Sequence, residues 1–488
     1  MTPRLAPTRW PLDGSALSIS ELAVHALAQL PEAVRLELGP THVRVMLGAI
    51  ARAYGIDDRV VFDHELRADT VRFLTSDGPI DPTTLLPATL GELVERIGGG
   101  SACVIPDSED SALSGHRVVI LTNYPAHYRL PLFEQMSVRL SKAGAHLHVM
   151  FLAAEPKSRP WLTGSQVSFD HETVPSLKMP AVDRGPLVPV RLAARMRHRS
   201  PTIVLAGGFS PFVAARAART AREVGASFGI WSGETAAMHT AQQASRKRIR
   251  RRLAPRSDFA IAYGIRAAAY LRGLARELPL VIGRNTAPVA MTKADPQPWP
   301  TDRPVRFLMI GDLASSRKGA DIAIEAMSHV SNSDVRLDIV GGGRLQAALE
   351  RKAAADSRVR LLGPLRPDDV ARELQDADAL LFPTRADIFG LVLVEAMGAG
   401  VAPIVSRAAG AVDDIGVDGH NAIVLDGHEP KAWAKAIDHL ASDPELVKEL
   451  GARARRTIET RWSVDHAVDA MIAGLRLGAF TAEARSAS

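Results

Sequence analysis

Two short apolar runs, Ala379-Leu380-Leu381-Phe382 and Val401 to Val405, flank a stretch from Arg385 to Gly400 that opens polar and continues as an apolar helix. Pro383 closes the first run, so the order is buried strand, loop, helix, buried strand. That order is the grammar of a parallel α/β sheet. Ligands bind such sheets beyond the carboxyl ends of the strands. The loop therefore places Asp387, the Phe389-Gly390 turn and, one turn into the helix, Glu395 where chemistry is expected.

The same grammar recurs on both sides. Strands are expected at Arg117 to Leu121, His146 to Leu152, Ile203 to Ala206, Ala226 to Trp231 and Phe259 to Ala262, then at Val305 to Ile310, Val335 to Val340 and Val359 to Leu362. Polar residues 107–115 mark one boundary, and prolines 288, 296, 298, 300 and 304 mark another. The fold class is thus α/β, with two Rossmann-like doubly wound domains and an extra amino-terminal α/β segment. The divisions are an extension at 1–115, a domain at 116–290, a linker at 291–304, a domain at 305–463 and a carboxyl-terminal helix and tail at 464–488. The extension parallels the second domain in order. Residues 34–39 match 335–341, 58–62 match 357–361, 85–87 match 380–383 and 90–100 match 389–400. It has no acid opposite Asp387 and no Arg-Lys-Gly loop, so it reads as a packing copy or a coincidence and not as a second site.

Composition narrows the class. Of 488 residues 46% are hydrophobic and 23% charged, as in soluble globular enzymes. The single cysteine, Cys103, excludes an intramolecular disulfide and points to a reducing cytosol. Residues 1–10 lack the apolar core of a secretory signal, and Glu395 and Pro403 interrupt the longest apolar run, so a cytoplasmic protein is expected. A net charge of +5 favours anionic partners in general. The basic segment 246–256 is either a solvated helix face or a surface for peripheral membrane contact and anionic headgroups. Nucleic acid is not expected, because no aromatic residue is interleaved with that charge.

Residues Gly311 to Gly319 supply Arg317 and Lys318, a glycine at each end and a following helix, an arrangement that attracts phosphate oxygens. Gly341-Gly342-Gly343 lacks the spacing of a dinucleotide fingerprint and is expected to make a tight turn that lets a ligand approach the backbone. Asp376 and Asp378 precede a buried strand and read as turn residues, and no His or Cys cluster has metal-ligand spacing. Glu395 is different. It is a carboxylate inside Leu391-Val392-Leu393-Val394-x-Ala396-Met397 and needs a partner, for which two vicinal hydroxyls are suited.

In this combination and order the motifs resemble the retaining nucleotide-sugar glycosyltransferases of the GT-B fold, in particular glycosyltransferase family 4 (group 1), over residues 117 to about 477. Asp387 and Glu395 stand at the two acidic positions of that family's signature, and Ala409-Gly410-Ala411-Val412-Asp413 matches its Gly-Gly-x-x-Glu turn imperfectly. The resemblance implies a donor site in which Glu395 holds ribose hydroxyls and Lys318 neutralises the diphosphate. Gly311 and Arg317 border that site, the amides near Phe389, Gly390 and Leu391 contact phosphate or sugar, and Leu362 and Gly363 frame the base. Asp387 and Lys318 are the catalytic candidates.

The resemblance further implies no cofactor and no metal, with a UDP- or GDP-linked sugar as donor and a glycan, lipid-linked or small-molecule hydroxyl as acceptor. Acceptor-side candidates are His127, Arg129 and Glu234, on loops after strands, with His239 as a further position. Two departures stand out. Asp312 replaces the family's Arg, and a carboxylate about 4 Å from a phosphate would cost roughly 4 kcal/mol at an effective dielectric of about 20, so Asp312 is expected to face away or to pair with Arg317. Asp387 replaces Glu, which shortens the acid by about 1 Å, a displacement that can cost about 10²-fold in rate. The alternatives are a catalytically impaired sugar-nucleotide-binding scaffold and a sugar-nucleotide epimerase of similar fold.

Overall fold

The computed structural model describes residues 110–153, 167–178, 187–207, 211–236, 244–288 and 303–486, with three short strands ahead of them. The chain forms two compact units, residues 1–107 with 269–278 and residues 108–268 with 279–488. In the first, Arg35–Glu37 pairs antiparallel with Arg72–Thr75, which pairs antiparallel with Gly78–Pro79. The segment that 34–39 parallels in sequence, Val335–Val340, instead has parallel neighbours on both sides. The other matching segments, at 58–62, 85–87 and 90–100, lie outside the described residues, as do 289–302.

The second unit contains two parallel sheets. The amino-side sheet has seven strands in the order Leu280–Ile282, Phe259–Ala262, Ser227–Ser232, Ile203–Gly207, Arg117–Thr122, His146–Phe151 and His171–Thr173. The carboxyl-side sheet has six, in the order Val359–Gly363, Val335–Val340, Val305–Ile310, Ala379–Phe382, Ala402–Ser406 and Ile423–Leu425. Each chain segment starts at a central strand, winds to one edge, and returns to lay its fourth strand beside the first. Each sheet therefore has a switch point, and in the carboxyl-side sheet it lies between Val305–Ile310 and Ala379–Phe382. A small antiparallel pair, Ser176–Lys178 with Leu187–Pro189, hangs from the amino-side sheet.

Strands covered on both faces must be apolar along their length. Ile203–Gly207, Phe259–Ala262 and Ala379–Phe382 are buried throughout. The covering helices bury one stripe each. Leu130–Lys142 opens with a proline, turns Leu130, Phe133, Met136 and Leu140 inward at helical spacing, and ends on Arg139 and Lys142, whose charge suits the helix dipole. On the carboxyl side Phe307, Met309, Leu337, Ile339, Leu381 and Ile404 form one core with Trp433, Ile437 and Leu440. Each such side chain stabilises the fold by about 1.5–3 kcal/mol.

The acids that interrupt this apolar frame are paired internally. Asp338 accepts from Arg306 at 2.6 Å and lies 3.2 Å from Arg336. Asp378 accepts the Arg306 amide at 2.8 Å and both terminal nitrogens of Arg303, so it serves as a turn residue before its strand. The last helix, Val464–Ser486, packs on the amino-side sheet, with Gly474 against Ile261 and Gly478 against Phe259. Trp462, just ahead of it, donates from Nε1 to the Asn285 carbonyl at 3.0 Å, and the Thr286 hydroxyl donates to the Trp462 carbonyl at 2.9 Å.

Candidate functional site

The loops that leave the two strands at the carboxyl-side switch point meet over it. Residues 311–319 carry a single turn, Ser316–Lys318, that ends on Gly319 at the start of helix Ala320–Met327. The stem of Lys318 lies along Gly311, where an added Cβ would meet it at 3.1 Å. The Lys318 ammonium sits 5.3 Å from the centre of the Phe382 ring and forms an ion pair with Asp387. Arg317 donates to the Ala386 carbonyl at 2.9 Å, with Nη1 3.8 Å from Asp387. Both cations of the loop thus face one carboxylate. Asp312 accepts the Ala314 amide at 2.8 Å and so turns into its own loop, while Arg317 reaches across to the Asp387 loop.

Asp387 is largely buried, its side chain 11% exposed, and its backbone pairs with Ala409. The next residues divide in role. Phe389 sends its ring away from the loop, stacked on Trp462 at 6.0 Å and 16°, and its carbonyl accepts the Ala411 amide at 2.7 Å. Gly390, at φ 96°, precedes helix Leu391–Gly398; the Leu393 amide donates to the Gly390 carbonyl at 2.9 Å, and the amides ahead of it have no acceptor within the helix. In this helix Leu393, Val394, Ala396 and Met397 are fully buried and Leu391 and Glu395 half-buried. No protein donor among the described residues reaches the Glu395 carboxylate. Burial pushes its carboxyl up to about 7, against a weaker downward pull from Lys318.

Leu362 and Gly363 end the neighbouring edge strand, both half-buried, and the Gly363 carbonyl accepts the Gly341 amide at 2.9 Å. The triple glycine makes the expected tight turn. What approaches its backbone is the 311–314 loop. The Leu313 amide donates to Gly342 at 3.0 Å and the Leu345 amide to Leu313 at 3.1 Å. Gly341 has φ 144°, and a Cβ there would run into the Gly311 carbonyl. Gly341→Ala is therefore expected to cost about 1–3 kcal/mol in denaturant unfolding. It should also weaken calorimetric binding of UDP, because Gly311 seats Lys318. A variant as stable and as tightly binding as the parent would contradict this.

On the amino side the three candidates fare differently. His127 follows strand Arg117–Thr122, its ring edge-on to Tyr128 at 5.5 Å and its Nδ1 buried without a partner. Burial lowers its pKa, and Asp368, in the first turn of helix Pro367–Asp376 on the carboxyl side, raises it. Arg129 is engaged inside the domain. It donates to Thr122 at 2.8 Å and to the Tyr263 hydroxyl, and lies 4.7 Å over the Trp231 ring. It ties the ends of three strands and offers its charge inward. Glu234 accepts from Arg250 at 2.8 Å. Arg250 is buried, whereas Arg248, Arg251, Arg252 and Arg256 of the basic segment are exposed. His239 lies outside the described residues. The structure thus brings Gly311, Arg317, Lys318, Asp387, Glu395 and the start of helix Leu391–Gly398 together and leaves Arg129 and Glu234 to internal roles.

Comparison with known proteins adds to this geometry. Residues 304–443 match the model of the glycosyl transferases group 1 family. A D-inositol 3-phosphate glycosyltransferase of Xylanimonas cellulosilytica is 32% identical over 180 residues, 36% of this chain and 42% of the relative. An uncharacterized glycosyltransferase of Methanocaldococcus jannaschii is 29% identical over 28% of this chain and 39% of its own length. The chain thus spans less than half of these curated relatives. Among solved structures, HepE of Anabaena with UDP and glucose superposes with a TM-score of 0.58 at 16% identity over 74% of this chain and 99% of its own. Sucrose-phosphate synthase of Thermosynechococcus elongatus does so with 0.55 at 16% identity over 76% and 100%. Among the described residues, none form a cluster able to hold a metal ion, and no helix is long and apolar enough to cross a membrane.

Proposed function

We propose that this protein is a retaining glycosyltransferase: residues 304–443 match the group 1 glycosyltransferase model, and the chain has the GT-B fold. It moves a sugar from a nucleoside diphosphate donor, UDP-linked in the first instance, to a hydroxyl of a glycan, lipid-linked or small-molecule acceptor. The observation that carries the reading is the convergence of Lys318, Arg317, Asp387 and Glu395 at one switch point. HepE, which shares the fold, was solved with UDP and with UDP-glucose.

In this reading Glu395 accepts both ribose hydroxyls, the donors its carboxylate lacks among the described residues. Lys318 and Arg317 take the diphosphate, and the open amides at the start of helix Leu391–Gly398 add partial positive charge. The phosphates compete with Asp387 for Lys318, so donor binding releases Asp387 toward the transferred sugar. Transfer then proceeds on the face the leaving phosphate departs from, with that phosphate helping to deprotonate the acceptor. The protein positions groups and stabilises charge. The four exposed arginines at 248–256 suit an acceptor at an anionic membrane surface, at about 1 kcal/mol each near such a surface.

The test is incubation with a panel of labelled nucleotide sugars, followed by NMR assignment of the product anomer. Transfer or slow hydrolysis with retained configuration is expected. Donor interconversion without acceptor would make the protein an epimerase, and tight binding without turnover a scaffold.

A further inference from the structure

The amino-side domain meets the carboxyl-side domain through a buried charge contact that no part of the donor reading uses. Arg266, in the first turn of helix Ile265–Leu274, donates to both oxygens of Asp413 at 2.6 and 3.0 Å and to the Arg407 carbonyl at 2.7 Å. The Ile265 amide, at the start of that helix, donates to the Asp414 carboxylate at 3.0 Å, so the helix is capped by an acid from the other domain. Gly264 allows the approach, since a Cβ there would meet Asp414 and the Phe389 ring. Asp413 is 8% exposed and Arg266 23%, so this is not a screened surface pair.

The turn these residues grip is bonded to the Asp387 loop. Asp387 pairs with Ala409, its amide donates to the Ala408 carbonyl at 3.3 Å, and the Ala411 amide donates to the Phe389 carbonyl at 2.7 Å. Gly410 lies against the Ile388 carbonyl. On its other side the loop is held by Phe389 stacked on Trp462. Arg266 thus touches Asp413, the 407–414 turn touches residues 387–389, and Asp387 touches Lys318.

We propose that Arg266 and Asp413 are positioning residues for the transfer step. The amino-side domain sets where the Asp387 carboxylate stands, by gripping the turn that backs its loop. The proposal rests on the transferase reading for its kinetic consequence and on the geometry alone for its structural one. It separates two tasks in one site. Lys318 and Glu395 stand on the carboxyl-side domain's own loop and helix, so nucleotide affinity should be far less sensitive to the contact than turnover. Asp387 stands on a loop backed from across the interface, so turnover should be sensitive. A displacement of about 1 Å is enough to cost about 10²-fold in rate.

The experiment is a charge exchange, with Arg266→Asp, Asp413→Arg and the double variant compared with the parent, and Asp413→Asn as a conservative fourth. Each single reversal should lower kcat about 10- to 100-fold with donor KM and UDP affinity within about twofold, and the double variant should recover most of the loss. Asp413→Asn should fall between. Hydrogen exchange at the Asp387 and Ala411 amides should be faster in the single variants and return toward parental rates in the double, with or without turnover. Unchanged kcat and unchanged exchange in the single variants would overturn the proposal, as would a loss that the double variant does not relieve. So would a loss expressed only in donor KM. If the parent itself shows no turnover, the transferase reading fails while the exchange measurement still decides the positioning.

Discussion

Glu395→Ala is expected to weaken binding of a nucleoside diphosphate sugar by about 10²- to 10⁴-fold. The carboxylate accepts no hydrogen bond among the described residues, and two hydroxyl donors to an ionised acceptor contribute about 1.5–3 kcal/mol each. Each 1.4 kcal/mol is tenfold in affinity. Calorimetric titration with UDP and UDP-sugars measures the change, and unchanged affinity would remove Glu395 from the nucleotide site. The pH dependence has a defined sign. Burial raises this carboxyl from 4.5 to about 7 in the folded protein, so the folded state holds its proton over a range where the unfolded state has lost it. Stability should therefore fall as pH rises from about 4.5 toward 7 and level off above it, and Glu395→Gln should remove that slope. Donor affinity should run the other way, rising toward pH 7 as the accepting carboxylate forms.

The second large effect belongs to Lys318→Ala, expected to reduce the transfer rate by about 10²–10³-fold, as loss of one charge-stabilising donor does elsewhere. It also leaves Asp387 with only Arg317, 3.8 Å away, in a largely buried place. A buried carboxylate stripped of its partner costs about 3–5 kcal/mol. The two consequences separate in the double variant with Asp387→Ala, which should regain much of the stability in denaturant unfolding and none of the activity in single-turnover assays. Recovery of activity would show that Lys318 serves only to neutralise Asp387.

Much of the frame was legible because parallel strands are covered on both faces and read as unbroken apolar runs, as Ala379–Phe382 and Phe259–Ala262 do. In the two parallel sheets the strands missed were three-residue edges, His171–Thr173, Leu280–Ile282 and Ile423–Leu425, too short to show a period. Glu395 was legible as a charge in an apolar helix. Arg129 and Glu234 were placed on the right loops, but a loop position does not fix a side chain's direction. Their partners Tyr263 and Arg250 lie 134 and 16 residues away in sequence. Asp413 was named in the turn that resembles Gly-Gly-x-x-Glu, but its pairing with Arg266 was missed for the same reason, the two being 147 residues apart. The triple glycine was recognised as a close approach, and the structure adds the 311–314 loop as a body that makes one.

The path of the last helix limits how such a chain can be recombined. The backbone leaves the amino-side sheet after Leu280–Ile282, builds the carboxyl-side sheet, and returns past Trp462 to cover Ile261 and Phe259. The carboxyl-side domain is thus inserted between two parts of its neighbour and is not appended to it. A chimaera that borrows another carboxyl-side domain needs two joints. One lies ahead of Val305 and one at the Trp462 crossing. A cassette running from Val305 through Ser486 would carry away the helix that covers Ile261 and Phe259 of the amino-side sheet.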